Sequence, residues 1–208
     1  MAELELIGAP RSNFVWTTRI GLTEMGVPYA HSPAVPHSEE VFAIHPLGII
    51  PAMRHGEVTL FESPAILTYA QQALGGRSLI AADPAVAARD EQWRSFAHTL
   101  ADRVIMRTYA MAYIFPGTED GSPNRAMIDE VLPKFTSHLD MLDGAARAGE
   151  IGRAKLSIAD IYLLPMLAYA SQLPEGGELV AARPALAAYL RAGLAQPSVA
   201  ATTPPPRQ

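Results

Sequence analysis

The feature that most constrains this fold is a short apolar segment, Leu47 to Met53, which is interrupted by a single proline. Proline has no N–H to donate to a sheet, so Pro51 suits a strand start, a strand edge or a bend. Only about 5–6% of X–Pro bonds in folded proteins are cis, so trans is the ordinary expectation for any one proline. Val58 to Phe61 is predicted as a strand that follows a tight connection through Gly56. Pro51 therefore precedes a predicted pair of strands.

A helix is predicted directly after this pair of strands. Ser63 and Pro64 have the order of an N-cap and a first helical residue, and the helix should reach about Leu74 and stop at Gly75. The first turn of a helix has unpaired N–H groups and a positive dipole end. This helix start can therefore hold a carboxylate.

The residues before the proline supply the other elements of a small domain. The sequence predicts a strand over Leu4 to Ile7, a helix from Ser12 that ends at Gly26, a strand over Val27 to Ala30 and a short helical turn over Glu40 to Ile44. The resulting order, β-α-β-α-β-β-α within about the first 77 residues, matches a thioredoxin-like domain.

Every later element is predicted to be helical. Residues 78–83 form a linker, and Asp83 with Pro84 opens a long helix that runs to about Phe115. Ser157 followed by Asp160 is a Ser-x-x-acid capping box at the start of another helix. Further predictions are a helix from Ser122 with a kink or break at Pro133, a helix over Pro184 to Leu194, and a frayed tail over Thr202 to Gln208.

Composition argues against several classes of function. A net charge of −5 without any basic run argues against nucleic acid as a partner. The longest apolar run, Ile161 to Ala170, is about half of a membrane span, and the acidic start Met1 to Glu5 predicts no signal peptide. With no cysteine and with six histidines that lack metal-ligand spacing, we expect no disulfide and no metal site. We therefore expect a cytoplasmic protein in which any thiol chemistry uses a thiol brought by a ligand.

Two motifs flank the predicted connection between the strands. They are Gly48-x-Ile50-Pro51-Ala52 and Leu60-Phe61-Glu62-Ser63-x-Ala65-Ile66-x-x-Tyr69. In this order and at this spacing they resemble the glutathione-binding half of the glutathione S-transferase family. The resemblance implies an α+β chain with a thioredoxin-like domain over residues 1–77, an all-α helical domain over residues 84–208, and a homodimer. It also implies a cis peptide at Pro51, contact of the Ile50 backbone with the cysteinyl part of glutathione, and binding of the γ-glutamyl end by Glu62 and Ser63.

Members of this family activate the glutathione thiol with a Tyr, a Ser or a Cys just after the first strand. Tyr29 comes too late and cysteine is absent, so the resemblance implies Ser12. Arg11-Ser12 followed by Val15-Trp16-x-x-Arg19-Ile20 is similar to the serine-type classes, particularly the zeta type. Asn13-Phe14 stands where zeta members have Ser-Cys. This difference from the zeta motif argues against zeta-type isomerase chemistry. Asn13 is a second candidate donor.

The energetics are compatible with Ser12 as the donor. Lowering a thiol pKa from near 8.5 to about 7 requires roughly 2 kcal/mol of preference for the thiolate. A hydroxyl hydrogen bond to a charged group supplies about 1.5–3 kcal/mol, and a helix N-terminus adds about 0.3–1 kcal/mol. Ser12 at the start of the first helix can supply both. The alternative is that Ser12 only caps that helix.

The sequence signal is less specific for the residues that would bind the glycine end of glutathione and the second substrate. By resemblance, His37 and Ser38 are candidates for the glycine carboxylate of glutathione, and a solvated loop is the alternative. The second substrate is expected between Ala9-Pro10-Arg11 and the long helix from Pro84. The candidate residues for that pocket are Pro10, Arg11, Met106, Tyr109 and Tyr113. The alternative is that the Met and Tyr side chains belong to the core.

Together these features predict a glutathione transferase with a role in detoxification. A thiolate stabilised by Ser12 would attack a small hydrophobic electrophile, with glutathione as co-substrate and no further cofactor. Isomerisation or dehalogenation by the same thiolate is one alternative, and a non-catalytic binding protein of the same fold is another. Disulfide reduction is disfavoured because the chain has no cysteine to form a mixed disulfide.

Overall fold

The computed structural model describes residues 3–206, which form two compact units. The first unit contains residues 3–79 together with residues 196–206, and the second contains residues 80–195. The sequence predicted a helical domain over residues 84–208. Contacts between the last helix and the first one group residues 196–206 with the first unit.

The first unit is built on a mixed sheet of four strands, β1 (Leu4–Ile7), β2 (Tyr29–Ser32), β3 (Ala52–His55) and β4 (Val58–Phe61), in the order β2-β1-β3-β4. β1 is parallel to β2 and antiparallel to β3, and β3 is antiparallel to β4. The predicted fold class is confirmed. β2 begins two residues later than predicted because the Val27 N–H still donates to the carbonyl of Leu22 at the end of the preceding helix.

Three helices of the first unit connect or follow these strands. They are α1 (Asn13–Met25), α2 (Glu39–Phe42) and α3 (Ser63–Tyr69), and α3 continues as a π-helical segment over Ala70–Leu74. α1 ends at Gly26, whose φ of 72° lies in the left-handed region that glycine adopts most easily. The predicted stop of α1 is confirmed.

Helix α3 begins one residue earlier than predicted. Ser63 is its first helical residue, and Glu62 occupies the N-cap position with φ 68° and ψ 120°. The carbonyl of Glu62 accepts the first helical hydrogen bond, from the Ile66 N–H at 3.0 Å. The prediction of Ser63 as N-cap is therefore wrong by one position, because the backbone already turns at Glu62.

The C-terminal segment packs onto the first unit. Helix α10 (Pro197–Thr202) lies against α1, with Val199 fully buried and the Trp16 Nε1–H donating to Thr202 Oγ1 at 3.2 Å. Further along, the carbonyl of Pro205 accepts a hydrogen bond from Arg11. A frayed tail from Thr202 was predicted, but these contacts hold it through residue 205. Arg207 and Gln208, the end of that predicted tail, lie outside the described residues.

The second unit is helical throughout. Its helices are α4 (Pro84–Phe96), a π-helical continuation over Ala97–Ala110, α5 (Met111–Ile114), α6 (Arg125–Arg147), α7 (Ile158–Ser171), α8 (Pro174–Ala181) and α9 (Pro184–Leu194). Every residue of α7 from 159 to 168 is buried. A helix that is apolar on all sides belongs in a core, and α4, its π-helical continuation, α8 and α9 pack against α7.

The helix starts of the second unit follow the predicted capping chemistry with one exception. Asp83 accepts from the N–H groups of Ala85 and Val86, and Ser157 with Asp160 forms a complete capping box, so both predictions are confirmed. Helix α6 begins at Arg125 instead of near Ser122, because Asn124 supplies the cap by accepting from the Met127 N–H at 3.1 Å. The helix runs on through Pro133. None of the helices among residues 3–206 is both long and apolar enough to span a membrane.

Candidate active site

Four loops of the first unit leave the sheet at the same edge. Ile7, the last residue of β1, is paired with Ser32 and with Ala52, and Ala52 is paired with Phe61. Neighbouring strands lie about 4.8 Å apart, so this row of four residues spans roughly 15 Å. The loop before α1, the loop after β2, the loop that carries Pro51 and the start of α3 therefore meet at one edge.

The loop before α1 lies directly against the segment that carries Pro51. A Cβ placed on Gly8 would lie 2.6 Å from Cγ2 of Val15 and 3.2 Å from Cβ of Ile50, so only glycine fits there. The peptide between Ile50 and Pro51 is cis, as the resemblance implied. Both residues are buried, which leaves their backbone groups to define this part of the edge.

Ser12 occupies the N-cap position of α1 without acting as a side-chain cap. Its backbone is extended, with φ −68° and ψ 132°, and its hydroxyl makes no capping hydrogen bond. Its backbone groups are used, since the Ser12 N–H donates to Ala9 and its carbonyl accepts from Trp16, both at 2.9 Å. The hydroxyl has no hydrogen-bond partner among the described residues and can donate to a ligand.

Asn13 differs from Ser12 in exposure. Its side chain is 8% exposed, and neither its amide nitrogen nor its amide oxygen has a partner within the described part of the chain. One turn further on, the fully buried hydroxyl of Thr17 is also without a partner there. Buried polar groups are normally hydrogen-bonded, so Asn13 retains hydrogen-bonding capacity beside Ser12.

Glu62 and Ser63 lie at the other end of the same row. The positive φ of Glu62 is rare for a residue with a side chain and costs on the order of 1–3 kcal/mol, so the surrounding structure must hold it. Glu62 is exposed, whereas Ser63 is 1% exposed at the first turn of α3. An exposed carboxylate beside a helix N-terminus can hold an ammonium group and a carboxylate of one ligand at the same time.

His37 is held beside the loop that carries Pro51. Its φ is 64°, its N–H donates to the carbonyl of Gly48 at 2.8 Å, and its ring lies 5.9 Å from that of Phe42. Its imidazole is exposed, and the neighbouring Ser38 has a buried hydroxyl without a partner among residues 3–206. Both candidates for the glycine carboxylate therefore lie in a loop that reaches the same edge.

His31 helps to hold the loop before α1 in place, and the sequence did not identify this role. Its Nε2 lies 2.9 Å from the carbonyl of Gly8, at the start of the loop that leads to Ser12. Burial lowers the pKa of His31, and the hydrogen bond to Gly8 opposes that shift. The neutral ring donates through Nε2 and fixes this loop to β2. A single histidine in a short predicted loop gave no signal of this contact.

Of the residues predicted for a second-substrate pocket, Pro10 and Arg11 lie in the first unit, and Met106, Tyr109 and Tyr113 lie in the second. Met106 is 6% exposed and Tyr109 is fully buried, with its ring 4.7 Å from that of Phe135. The Tyr109 hydroxyl donates to Glu175 at 3.1 Å and accepts from the Gly176 N–H. Core packing and a structural hydrogen-bond network account for these contacts of Tyr109.

Glu175 is the centre of that network. It accepts hydrogen bonds from Tyr109, Tyr113 and Arg125. Burial would raise the pKa of Glu175, but the bonds from Tyr113 and Arg125 outweigh it and hold the pKa at about 2. Burial and the bond to Glu175 raise the pKa of Tyr113 to about 12.

The lowered pKa of Glu175 predicts an acid-sensitive second unit. The ionised carboxylate stabilises the folded unit fully above its ordinary pKa of 4.5, and this contribution is lost as pH falls towards 2. We expect the urea midpoint of the unit to fall across this range, and the fall to be smaller in Glu175→Gln. Glu178→Gln, at an exposed position of the same helix, is the matched control and should keep the full fall. An equal fall in Glu175→Gln and the parent protein would contradict the prediction.

Among residues 3–206, no cluster of three or more His, Asp or Glu side chains could hold a metal ion. The chemistry available at the edge is that of a hydroxyl, an amide, a carboxylate, an imidazole and a helix N-terminus. This set can bind a zwitterionic amino-acid group at one end and stabilise an anion near Ser12.

Comparison with known proteins assigns this architecture to a class of transferases. Residues 6–78 match the family model described as "Glutathione S-transferase, N-terminal domain", and residues 125–192 match "Glutathione S-transferase, C-terminal domain". Together these matches cover more than half of the chain. The chain therefore belongs to the glutathione S-transferase family.

Individual relatives agree with this assignment. Glutathione S-transferase 3 of Zea mays is 28% identical, over 99% of this chain and 98% of the relative. The apo structure of glutathione S-transferase III is also 28% identical, with a TM-score of 0.83 over 99% of this chain and all of that one. The structure of maize glutathione S-transferase I with an atrazine–glutathione conjugate has a TM-score of 0.81, over 97% of this chain and 96% of that one. At 23% identity, this last likeness shows the fold alone.

Proposed function

We propose that this protein conjugates glutathione to small hydrophobic electrophiles and that the Ser12 hydroxyl stabilises the glutathione thiolate. The observation that carries the proposal is the Ser12 hydroxyl, which stands at the N-cap of α1 without a capping bond and without a partner among the described residues. A serine that only capped the helix would use its hydroxyl for that purpose. The names of the relatives support the same class of reaction.

Glutathione would lie along the row of loops described above. Its γ-glutamyl ammonium would pair with Glu62, and its α-carboxylate would bind at Ser63 and the N-terminus of α3. The backbone of Ile50, beside Pro51, would bind the cysteinyl part, which points the sulfur towards Ser12. His37 or Ser38 would bind the glycine carboxylate. Asn13 is the second candidate for the donor to sulfur, since its amide is unpartnered in the part of the chain described.

The reaction is a nucleophilic substitution or addition by sulfur. The thiol proton goes to solvent, the thiolate forms a bond to the electrophilic carbon, and any leaving group departs with its electron pair. In the family pattern the electrophile would contact Pro10 and Arg11, and the exposed Arg11 offers the clearest polar contact. A cytoplasmic location and a role in detoxification stay predictions.

Binding and turnover together test the proposal. We expect the purified protein to bind glutathione in calorimetry at millimolar concentrations and to accelerate its conjugation with chlorodinitrobenzene above the rate without protein. Binding without turnover of this or other model electrophiles would favour a non-catalytic binding protein. Turnover confined to isomerisation or dehalogenation substrates would favour the alternative reactions of the same thiolate. The absence of binding would refute the proposal.

We also propose that the protein is a homodimer. The first unit exposes four large apolar side chains, Phe42, Leu47, Ile49 and Phe61, each 38% to 68% exposed. Large apolar side chains that a protein leaves exposed together commonly mark an interface. Light scattering should give twice the chain mass of 22.3 kDa for the parent protein and a single mass for Phe42→Glu. A monomeric parent protein would contradict the proposal.

A further inference from the structure

Arg11 carries a positive charge that no carboxylate compensates in the described structure. Two other arginines of the first unit form ion pairs, Arg54 with Glu5 at 2.8 Å and Arg77 with Glu24 at 2.9 Å. Arg11 is exposed and has no carboxylate within 4.0 Å among residues 3–206. Its charge is therefore available to a ligand.

The C-terminal segment holds Arg11 in position. Arg11 Nη1 donates to the carbonyl of Pro205 at 2.8 Å, and that segment is anchored by the buried bond between Trp16 and Thr202. Pro204, Pro205 and Pro206 follow one another, and each ring fixes its backbone φ, so the accepting carbonyl belongs to a stiff segment. Arginine has five N–H donors, and within residues 3–206 Arg11 uses one of them. The ordering of this side chain is thus largely complete before a ligand binds.

Arg11 belongs to the loop that carries the proposed donor to sulfur. It directly precedes Ser12, and consecutive Cα atoms are about 3.8 Å apart. The guanidinium is therefore separated from Ser12 by no more than this spacing and the length of one arginine side chain. The planar fork of a guanidinium matches a carboxylate or another oxyanion with two parallel hydrogen bonds.

We propose that Arg11, held by the Pro205 carbonyl, is a subsite for an anionic group of the second substrate. The preferred electrophiles are then small aromatic or activated compounds that carry a carboxylate or similar oxyanion near the reacting carbon. The guanidinium would bind this anion and offset its repulsion from the thiolate. This inference rests on the proposed transferase function and deepens it by naming the substrate class.

A matched pair of electrophiles tests the proposal: chloronitrobenzoate and the corresponding chloronitrobenzamide. In both, the thiolate bonds to the ring carbon that bears chlorine, the carbon–chlorine bond breaks, and chloride leaves with the electron pair. For each electrophile, the enzymatic kcat/KM is divided by the rate constant of its uncatalysed reaction with free glutathione, because the two rings differ in intrinsic reactivity. We expect the parent protein to prefer the benzoate by about 10-fold in kcat/KM, mostly through KM, as for a partly exposed charged contact.

Three variants assign this preference to Arg11 and its anchor. Arg11→Gln should abolish it, and Arg11→Lys should keep part of it, because lysine retains the charge but loses the fork. Replacing Pro204, Pro205 and Pro206 together by glycine should reduce it, because the loosened segment no longer fixes the guanidinium. Arg54→Gln, which removes an arginine already paired with Glu5, is the control and should leave the preference unchanged.

Two results would overturn the proposal: an equal normalised kcat/KM for the two electrophiles in the parent protein, or an unchanged preference in Arg11→Gln. An increase in the KM of glutathione in Arg11→Gln, with the benzoate preference intact, would assign Arg11 to glutathione instead. If neither electrophile is turned over, calorimetry with chloronitrobenzoate alone decides the matter. Weaker binding to Arg11→Gln than to the parent protein would then support the anion subsite while the proposed function fails, and equal binding would overturn it.

Discussion

Replacing Asp160 by alanine should destabilise the second unit by about 3–5 kcal/mol. The Asp160 carboxylate is 1% exposed and accepts hydrogen bonds at 2.8–3.1 Å from four groups. They are the N–H and the hydroxyl of Ser157, the N–H of Gly152 and the hydroxyl of Tyr189. Alanine would leave buried donors without an acceptor, each at a cost of about 1–3 kcal/mol, and would remove the capping box of α7.

The two tryptophans allow the units to be followed separately. Trp16 lies in the first unit and Trp93 in the second, so urea unfolding in a Trp16→Phe background reports the second unit alone. Asp129→Ala is the matched control, since its side chain is 65% exposed in a surface ion pair and should cost less than about 1 kcal/mol. A loss below 1 kcal/mol for Asp160→Ala would show that this carboxylate does not hold the unit together.

Replacing Ser12 by alanine should lower kcat/KM for glutathione conjugation by roughly 10- to 100-fold. The physical reason is the loss of one hydrogen bond to a charged sulfur, because the variant can no longer donate from this position. The fold should be unaffected, since the Ser12 hydroxyl makes no capping bond. The measurement is the initial rate with chlorodinitrobenzene across a series of pH values.

Two variants separate the candidate donors. Ser12→Thr keeps a hydroxyl and should retain more activity than Ser12→Ala. Asn13→Ala removes the neighbouring amide, which has no partner among the described residues, and a larger loss in Asn13→Ala than in Ser12→Ala would make Asn13 the donor. Unchanged kinetics in Ser12→Ala would remove Ser12 from the mechanism.

Local signals predicted most of the fold. Gly26 at the end of α1 and the capping box of Ser157 and Asp160 depend on residues close in sequence, and the structure confirms both. The start of α3 was misplaced by one residue because the positive φ of Glu62 has no sequence signature in a residue other than glycine. A backbone conformation that neighbouring structure imposes cannot be derived from local propensity.

Contacts between distant parts of the chain were not predictable in the same way. The hydrogen bond between Trp16 and Thr202 joins residues 186 positions apart, and the bond between Arg11 and Pro205 joins residues 194 apart. A Pro-rich terminus alone predicts a frayed tail. The tail is held because α10 buries Val199 and packs against α1 and because these two hydrogen bonds form, and all of these contacts require the tertiary structure.

The candidate site was predictable from the sequence only in part. The resemblance of the motifs selected Pro51, Glu62 and Ser63, and the register of the sheet explains why they reach the edge where Ser12 lies. The contact of His31 with Gly8 is a tertiary one that no motif announced. The lack of a capping bond from the Ser12 hydroxyl could not be predicted either, because an N-cap serine normally bonds to its own helix.

The most direct test of the account is the pKa of the thiol of bound glutathione, measured by the ultraviolet absorbance of its thiolate during a pH titration. For the parent protein we predict a midpoint about 1–2 pH units below the ordinary value near 8.5, and for Ser12→Ala a midpoint that returns most of the way to that value. Glutathione that binds with the same thiol midpoint in both proteins would contradict the claim that the Ser12 hydroxyl stabilises the thiolate.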